Sequence, residues 1–153
     1  DGGDWSPQIS LGLGVLIPES YVPDLGLRLG LYRRLADLKD DKDLDAFAAE
    51  LVDRFGPLPD EVDNLLRIVA LKQACRRAGV EKVDAGPKGA TVTFHNNDFA
   101  NPGGLVALIG KQAGTMTLRP DHRLVLRRSW ETPGDRLAGV RRLVTELAKI
   151  AAG

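Results

Sequence analysis

Near Gly79 the apolar residues change their spacing, and that change limits the possible folds more than any other feature of the chain. Before it, Leu44, Phe47, Ala48, Leu51, Val52 and Phe55 recur at i, i+3, i+4, i+7, i+8 and i+11, the stripe of an amphipathic helix. After it, Val80 to Ala85 and Thr91 to His95 alternate with the period of two that belongs to strands. A helical half followed by an alternating half is the pattern of an α+β fold. At 153 residues the chain is long enough to bury a core, and a single compact domain is expected.

The helical half contains three segments. Asp24 can cap a helix over Leu25 to Leu38, although Gly26 and Gly30 each cost it roughly 1 kcal/mol relative to alanine. Asp43 is placed to cap the Leu44–Phe55 helix, and Gly56 before Pro57 ends it. Pro59 suits the first turn of a third helix reaching about Ala78. That helix carries two apolar faces, one with Val62, Leu65, Leu66 and Val69, the other with Ile68, Leu71 and Cys75, which predicts a central, sandwiched position. Upstream, Ile9, Leu11, Leu13, Val15 and Ile17 alternate and predict an N-terminal strand that ends at Pro18.

The second half reads β-β-α-β-β-α. The "GPKG" turn joins the first strand pair, and Asn101-Pro102 opens a helix to about Gln112. Thr115 to Leu118 and Arg123 to Arg128 form the second pair. Thr132-Pro133-Gly134-Asp135 has the form of a capping box for a last helix carrying Leu137, Val140, Leu143, Val144, Leu147 and Ile150.

Sites of chemistry are hard to assemble from these residues. "GGLVALIGKQ" departs from a phosphate-binding loop because Leu105 stands at the first glycine position and Gln112 replaces the hydroxyl. His95 and His122 have no Cys or His at metal-ligand spacing and read as solvated or hydrogen-bonded histidines. Cys75 lies on an apolar face, as a small buried hydrophobe would, and a lone cysteine points weakly to a reducing compartment. No catalytic, cofactor-binding or metal-binding residue is assigned. No apolar run reaches the ~18 residues of a membrane span, and no signal peptide or membrane partner is expected. The opening "DGGD", without an initiator Met, reads as a piece of a longer chain.

Charge gives the stronger lead. Lysine and arginine balance aspartate and glutamate over the whole chain, yet ten acids face three bases from Asp37 to Asp63, and nine bases face four acids from Lys111 to Lys149. Such unevenness suits a protein partner. The pairs Arg33-Arg34, Arg76-Arg77, Arg127-Arg128 and Arg141-Arg142 offer the alternative of a nucleic-acid-binding module, although no aromatic stacking platform accompanies them. On a helical wheel Ala46, Ala49, Glu50 and Asp53 gather opposite the Leu44–Phe55 stripe. They are either an ordinary wet face or a surface whose small residues admit a partner backbone and whose acids meet a basic patch.

Several stretches are similar to the C-terminal domain of the bacterial transcription-repair coupling factor (TRCF) family. They are "WSPQISLG" from Trp5, "IPESYVPDLGLRLGLYRRLA" (17–36), "ELVDRFGPLP" (50–59) and "LLRIVALKQACRRAGVEKVD" (65–84), with Gly26 and Gly30 departing from the family pattern. The resemblance implies an N-terminal extension over 1–8 and a regulatory domain over 9–153. It implies a parent that is a cytoplasmic, ATP-driven DNA translocase of transcription-coupled nucleotide excision repair, which displaces stalled RNA polymerase and recruits UvrA. ATP and magnesium would be held by other domains of that parent. The C-terminal domain would be a non-catalytic, autoinhibitory clamp on the UvrA-binding domain of the same chain, meeting UvrA, RNA polymerase and DNA only through the parent. By position, the family's acids that face that domain fall on Glu50 and Asp53.

Overall fold

A run of residues from Gly14 to Gln73 folds around one apolar cluster, while the segments on either side of it build a five-stranded sheet. A computed structural model describes residues 5–153. Within the expected α+β architecture the described residues part into two compact units, 14–73 and the segments 5–13 with 74–153.

In the helical unit, α1 spans Leu25–Asp37, α2 Asp41–Phe55 and α3 Asp60–Ala78, the last passing into the sheet unit after Gln73. Asp24 caps α1 by accepting the Leu27 N–H at 2.8 Å. The cap of α2 is Asp40, which accepts the Asp43 N–H at 2.9 Å, so Asp43 lies in the first turn and is not the cap. Acids stand at 40, 41 and 43, and the earliest of them that closes a hydrogen bond gains the longer helix. Gly56, at φ +94°, ends α2 in a backbone state that favours glycine. The cluster consists of Ile17, Val22, Leu31, Leu35, Leu44, Phe47, Leu51, Val62 and Leu66. Tyr21 places its hydroxyl 2.8 Å from the Gly56 carbonyl and 3.1 Å from that of Leu51, and burial raises its pKa. On its other face α3 buries Leu71, Cys75 and Ala78.

The expected strand over Ile9–Pro18 shrinks to β1, Gln8–Ser10. Gly12 turns at φ +68°, and the Leu11 carbonyl accepts from Arg136 Nη1 at 3.3 Å instead of from a strand. Beyond the turn Val15 and Leu16 are exposed while Ile17 enters the helical cluster. Alternation alone could not show that two glycines in ten residues would cut the ladder short. β1 pairs in parallel with β2 (Val80–Gly86), Ile9 opposite Val83. Pro7 is fully buried, so the described part of the expected 1–8 extension belongs to the sheet unit. "DGGD" lies outside the described residues.

The sheet order is β1-β2-β3-β5-β4, with β3 Gly89–Phe94, β4 Met116–Leu118 and β5 Leu124–Arg127. Every pairing after the first is antiparallel. One 3-10 turn (His95–Asn97) follows β3, and α4 covers Pro102–Lys111. Asn101 ties α4 to the last helix: its Oδ1 accepts the Gly104 N–H, and its Nδ2 donates to the Ile150 carbonyl, each at 3.0 Å. The last helix, α5 (Pro133–Ala151), starts with the capping box of Thr132 and Asp135 and buries Leu137, Val140, Leu143, Val144 and Leu147.

Trp130 is buried flat against Gly139 of α5, where a methyl group would overlap its indole ring. A Gly139→Ala substitution gains helix propensity but forces a buried ring out of place. It should destabilise the protein by about 1–3 kcal/mol in a denaturant titration. A neutral or stabilising result would show that the indole is free to shift.

Candidate docking surface

Leu44, Phe47 and Leu51 are buried, which turns the opposite side of α2 to solvent. Ala46, Ala49 and Asp53 are exposed there, and Glu50 is half-buried at the flank. Val52, which the spacing assigns to the apolar stripe, is 46% exposed instead and adds an aliphatic group beside Ala49. It falls at the edge of the stripe, where the helical period alone leaves burial undecided.

The two acids expected to act alike are in different states. Among the described residues Asp53 makes no hydrogen bond or ion pair, and its charge is open to solvent. Glu50 accepts three hydrogen bonds from its own unit. Arg34 of α1 grips it with both terminal nitrogens, Nη1 to Oε2 at 2.8 Å and Nη2 to Oε1 at 2.6 Å. Arg54, one turn along α2, donates from Nη1 to Oε2 at 2.8 Å. Glu50 is therefore not a free charge but the centre of a three-residue ion cluster that ties α1 to α2. The Arg54 contact is legible as an i, i+4 pair. The Arg34 contact joins two helices and has no signature in spacing.

Aromatic rings fix both guanidiniums. Arg34 lies over Phe47 and Arg54 over Phe55, each 4.9 Å from the ring centre, a cation–π distance. The hydrogen bonds from Arg34 and then from Arg54 draw the Glu50 pKa down from 4.5 to about 2, and the Arg34 pKa is raised by the same bond.

The remaining candidate residues lie on separate elements. The four arginine pairs sit on α1, in the last turn of α3, at the end of β5 with Arg128 just beyond it, and on α5. Arg128 is occupied with Gln112 Oε1 and the Arg127 carbonyl, and Arg127 with the Gly114 carbonyl. His95 Nδ1 lies 2.9 Å from Glu81 Oε1, and its ring stacks on Trp5 at 4.6 Å. His122 stands in a turn at φ +69°. Among the described residues no three His, Cys, Asp or Glu gather as metal ligands, and no helix is long and apolar enough to cross a membrane.

A carboxylate whose pKa is lowered by folding adds stability above its unfolded pKa, and loses that contribution as pH falls toward the folded value. Glu50→Gln should therefore melt below the wild-type chain at pH 7. The gap should narrow as pH drops through 4.5 and close near 2. A gap independent of pH would mean that the cluster contributes through packing, not charge.

Known proteins resemble the chain over most of its length. The family model described as the TRCF domain matches residues 11–105. The transcription-repair-coupling factor of Rickettsia bellii is 41% identical over 120 residues, which cover 78% of this chain and 10% of the relative. That of Escherichia coli is 32% identical over 144 residues, 94% of this chain and 12% of the relative. This chain thus spans about a tenth of the length of the curated relatives it matches. A crystal structure of the C-terminal domain of transcription-repair coupling factor shares the fold, with a TM-score of 0.80, covering 97% of this chain and 95% of that one at 19% identity. The family model matches more than half of the chain and the Rickettsia bellii relative is 41% identical over 78% of it, so the chain belongs to the TRCF domain family.

Proposed function

We propose that this chain is a non-catalytic regulatory domain of a transcription-repair coupling factor, and that the outer face of α2 is the surface by which it docks on the UvrA-binding domain of the same polypeptide. One observation carries the proposal. In a member of this family, Ala46, Ala49 and Asp53 form an exposed face of small side chains and unpaired charge on a helix whose other face is anchored by Phe47 and Leu51. Small residues let a partner backbone come close, and an unpaired carboxylate gives the contact a sign. The parent would be an ATP-driven, cytoplasmic DNA translocase of transcription-coupled repair. Docking would mask its UvrA-recruiting surface and restrain its motor, with ATP and magnesium bound elsewhere in the parent. UvrA, RNA polymerase and DNA would be met only through that parent.

The energies suit such a clamp. A tethered domain acts at an effective concentration in roughly the millimolar range, so weak contacts are enough to hold it. A 99:1 closed population needs only about 2.7 kcal/mol, half of the ~5.5 kcal/mol required for a full swing from one extreme to the other. Exposed ion pairs of about 0–1 kcal/mol, set around a small packed centre, add up to that order and remain reversible.

Asp53→Arg combined with Ala49→Arg changes only exposed positions, so the melting profile of the chain should shift by less than about 0.5 kcal/mol in stability. Placed in the full-length parent, the pair should raise both UvrA capture in a pull-down and ATPase activity without DNA. Wild-type capture and ATPase from a folded variant would rule the docking role out.

A further inference from the structure

We propose that the outer face of α1 is a contact between two copies of this chain, which meet through Leu25 and Leu29 about a two-fold axis with their α1 helices antiparallel.

Two leucines on that face lack cover. Leu25 is 60% exposed and Leu29, one turn on, 47% exposed, while Leu31 and Leu35 on the opposite side of α1 are buried in the helical cluster. By the helical period Leu25, Gly26, Leu29, Arg33 and Ala36 fall within about 100° of one another and form one side of the helix. All five are exposed. The Ile17 N–H donates to Tyr32 Oη at 2.7 Å, so the segment with exposed Val15 and Leu16 runs next to α1. Single exposed leucines are ordinary on a protein surface, whereas neighbouring ones mark a place where another molecule sits.

The same region bears a cost that the folding of this unit does not explain. Gly26 and Gly30 weaken the helix relative to alanine. Neither has a positive φ. A methyl group at Gly30 would meet nothing within 4 Å, and one at Gly26 only Asp24 Oδ2 at 3.4 Å, an ordinary contact. Packing within the chain therefore requires neither glycine. Against another helix they form a shallow trough that lets two backbones come close and admits a leucine side chain.

Charge selects a second copy as the occupant. Among the described residues Arg33 makes no hydrogen bond or ion pair, and Asp24 gives one carboxylate oxygen to the Leu27 N–H and keeps the other. With the helices antiparallel and Leu29 over Leu29, Arg33 of one copy lies about 6 Å along the axis from the centre, and Asp24 of the other about 7.5 Å in the same direction. The two-fold axis makes this ion pair twice and seats each Leu29 against the glycines of the other copy. A parallel arrangement would set Arg33 against Arg33. One helix face is smaller than the ~800 Å² per partner of a standard interface, so the dimer is weak and forms as concentration rises.

None of these residues belongs to the α2 face, so loss of one contact leaves the other intact. The experiment is sedimentation velocity of the chain from roughly 10 μM to 1 mM, where a shift toward dimer is expected. Leu29→Glu should keep the chain monomeric throughout. Gly30→Gln should raise the Tm, because glutamine is the better helix former, yet weaken the dimer about tenfold by filling the trough. A merely structural glycine would not move the two readouts in opposite directions. Arg33→Gln and Asp24→Ser, the second keeping a capping hydroxyl, should each weaken the dimer roughly two- to fivefold, and together no more than either alone, since each removes both pairs. Far-UV melting checks the fold, and Gly30→Gln carries the comparison if Leu29→Glu melts early. A chain that stays monomeric to the highest concentration, or a dimer that survives both Leu29→Glu and Gly30→Gln, overturns the proposal and gives the α1 leucines to a different occupant.

Discussion

Burial of Leu44, Phe47 and Leu51 decides how the helical unit meets solvent. These side chains join Leu31 and Leu35 from α1 and Val62 and Leu66 from α3 in one cluster, so α2 cannot rotate without exposing an aromatic and two leucines. Fully burying such a residue is worth about 1.5–3 kcal/mol, more than any exposed charge on the opposite side can return. The outward direction of Ala46, Ala49 and Asp53 therefore follows from the core. Selection can vary what they carry without disturbing what holds them.

The same anchoring explains why arginine, not lysine, serves in the ion cluster. Phe47 and Phe55 each have a guanidinium 4.9 Å from the ring centre, and a planar cation can cover a ring while its edge reaches a carboxylate. Arg34 does both at once and joins α1 to α2 across their exposed rim. Glu50 thus belongs to the architecture as much as to the surface, whereas Asp53 belongs to the surface alone.

Much of this was legible in the sequence. The helices from Leu25, through Phe55 and up to Ala78, and the β-β-α-β-β-α half followed from period, caps and turn glycines, because burial imposes those periods directly. Two things were not legible. The alternation from Ile9 to Ile17 predicts a longer strand than the structure holds, since Gly12 takes a turn that alternating Leu and Val conceal, and pairing with β2 stops at Ser10. The helical wheel leaves Glu50 as an unpaired acid because its chief partner, Arg34, lies sixteen residues away on another helix. Ion pairs between elements depend on tertiary approach, and spacing along the chain carries no trace of it.

The parallel pairing of β1 with β2 has a kinetic consequence. Residues 14–73 all lie between the two strands, so Ile9 and Val83 must find each other across a folded unit. The entropy of closing a loop grows with its length, and condensing the intervening helices shortens the effective loop before the strands meet. Among the strand pairings of the sheet, this one closes the longest loop and carries the largest entropic cost of closure.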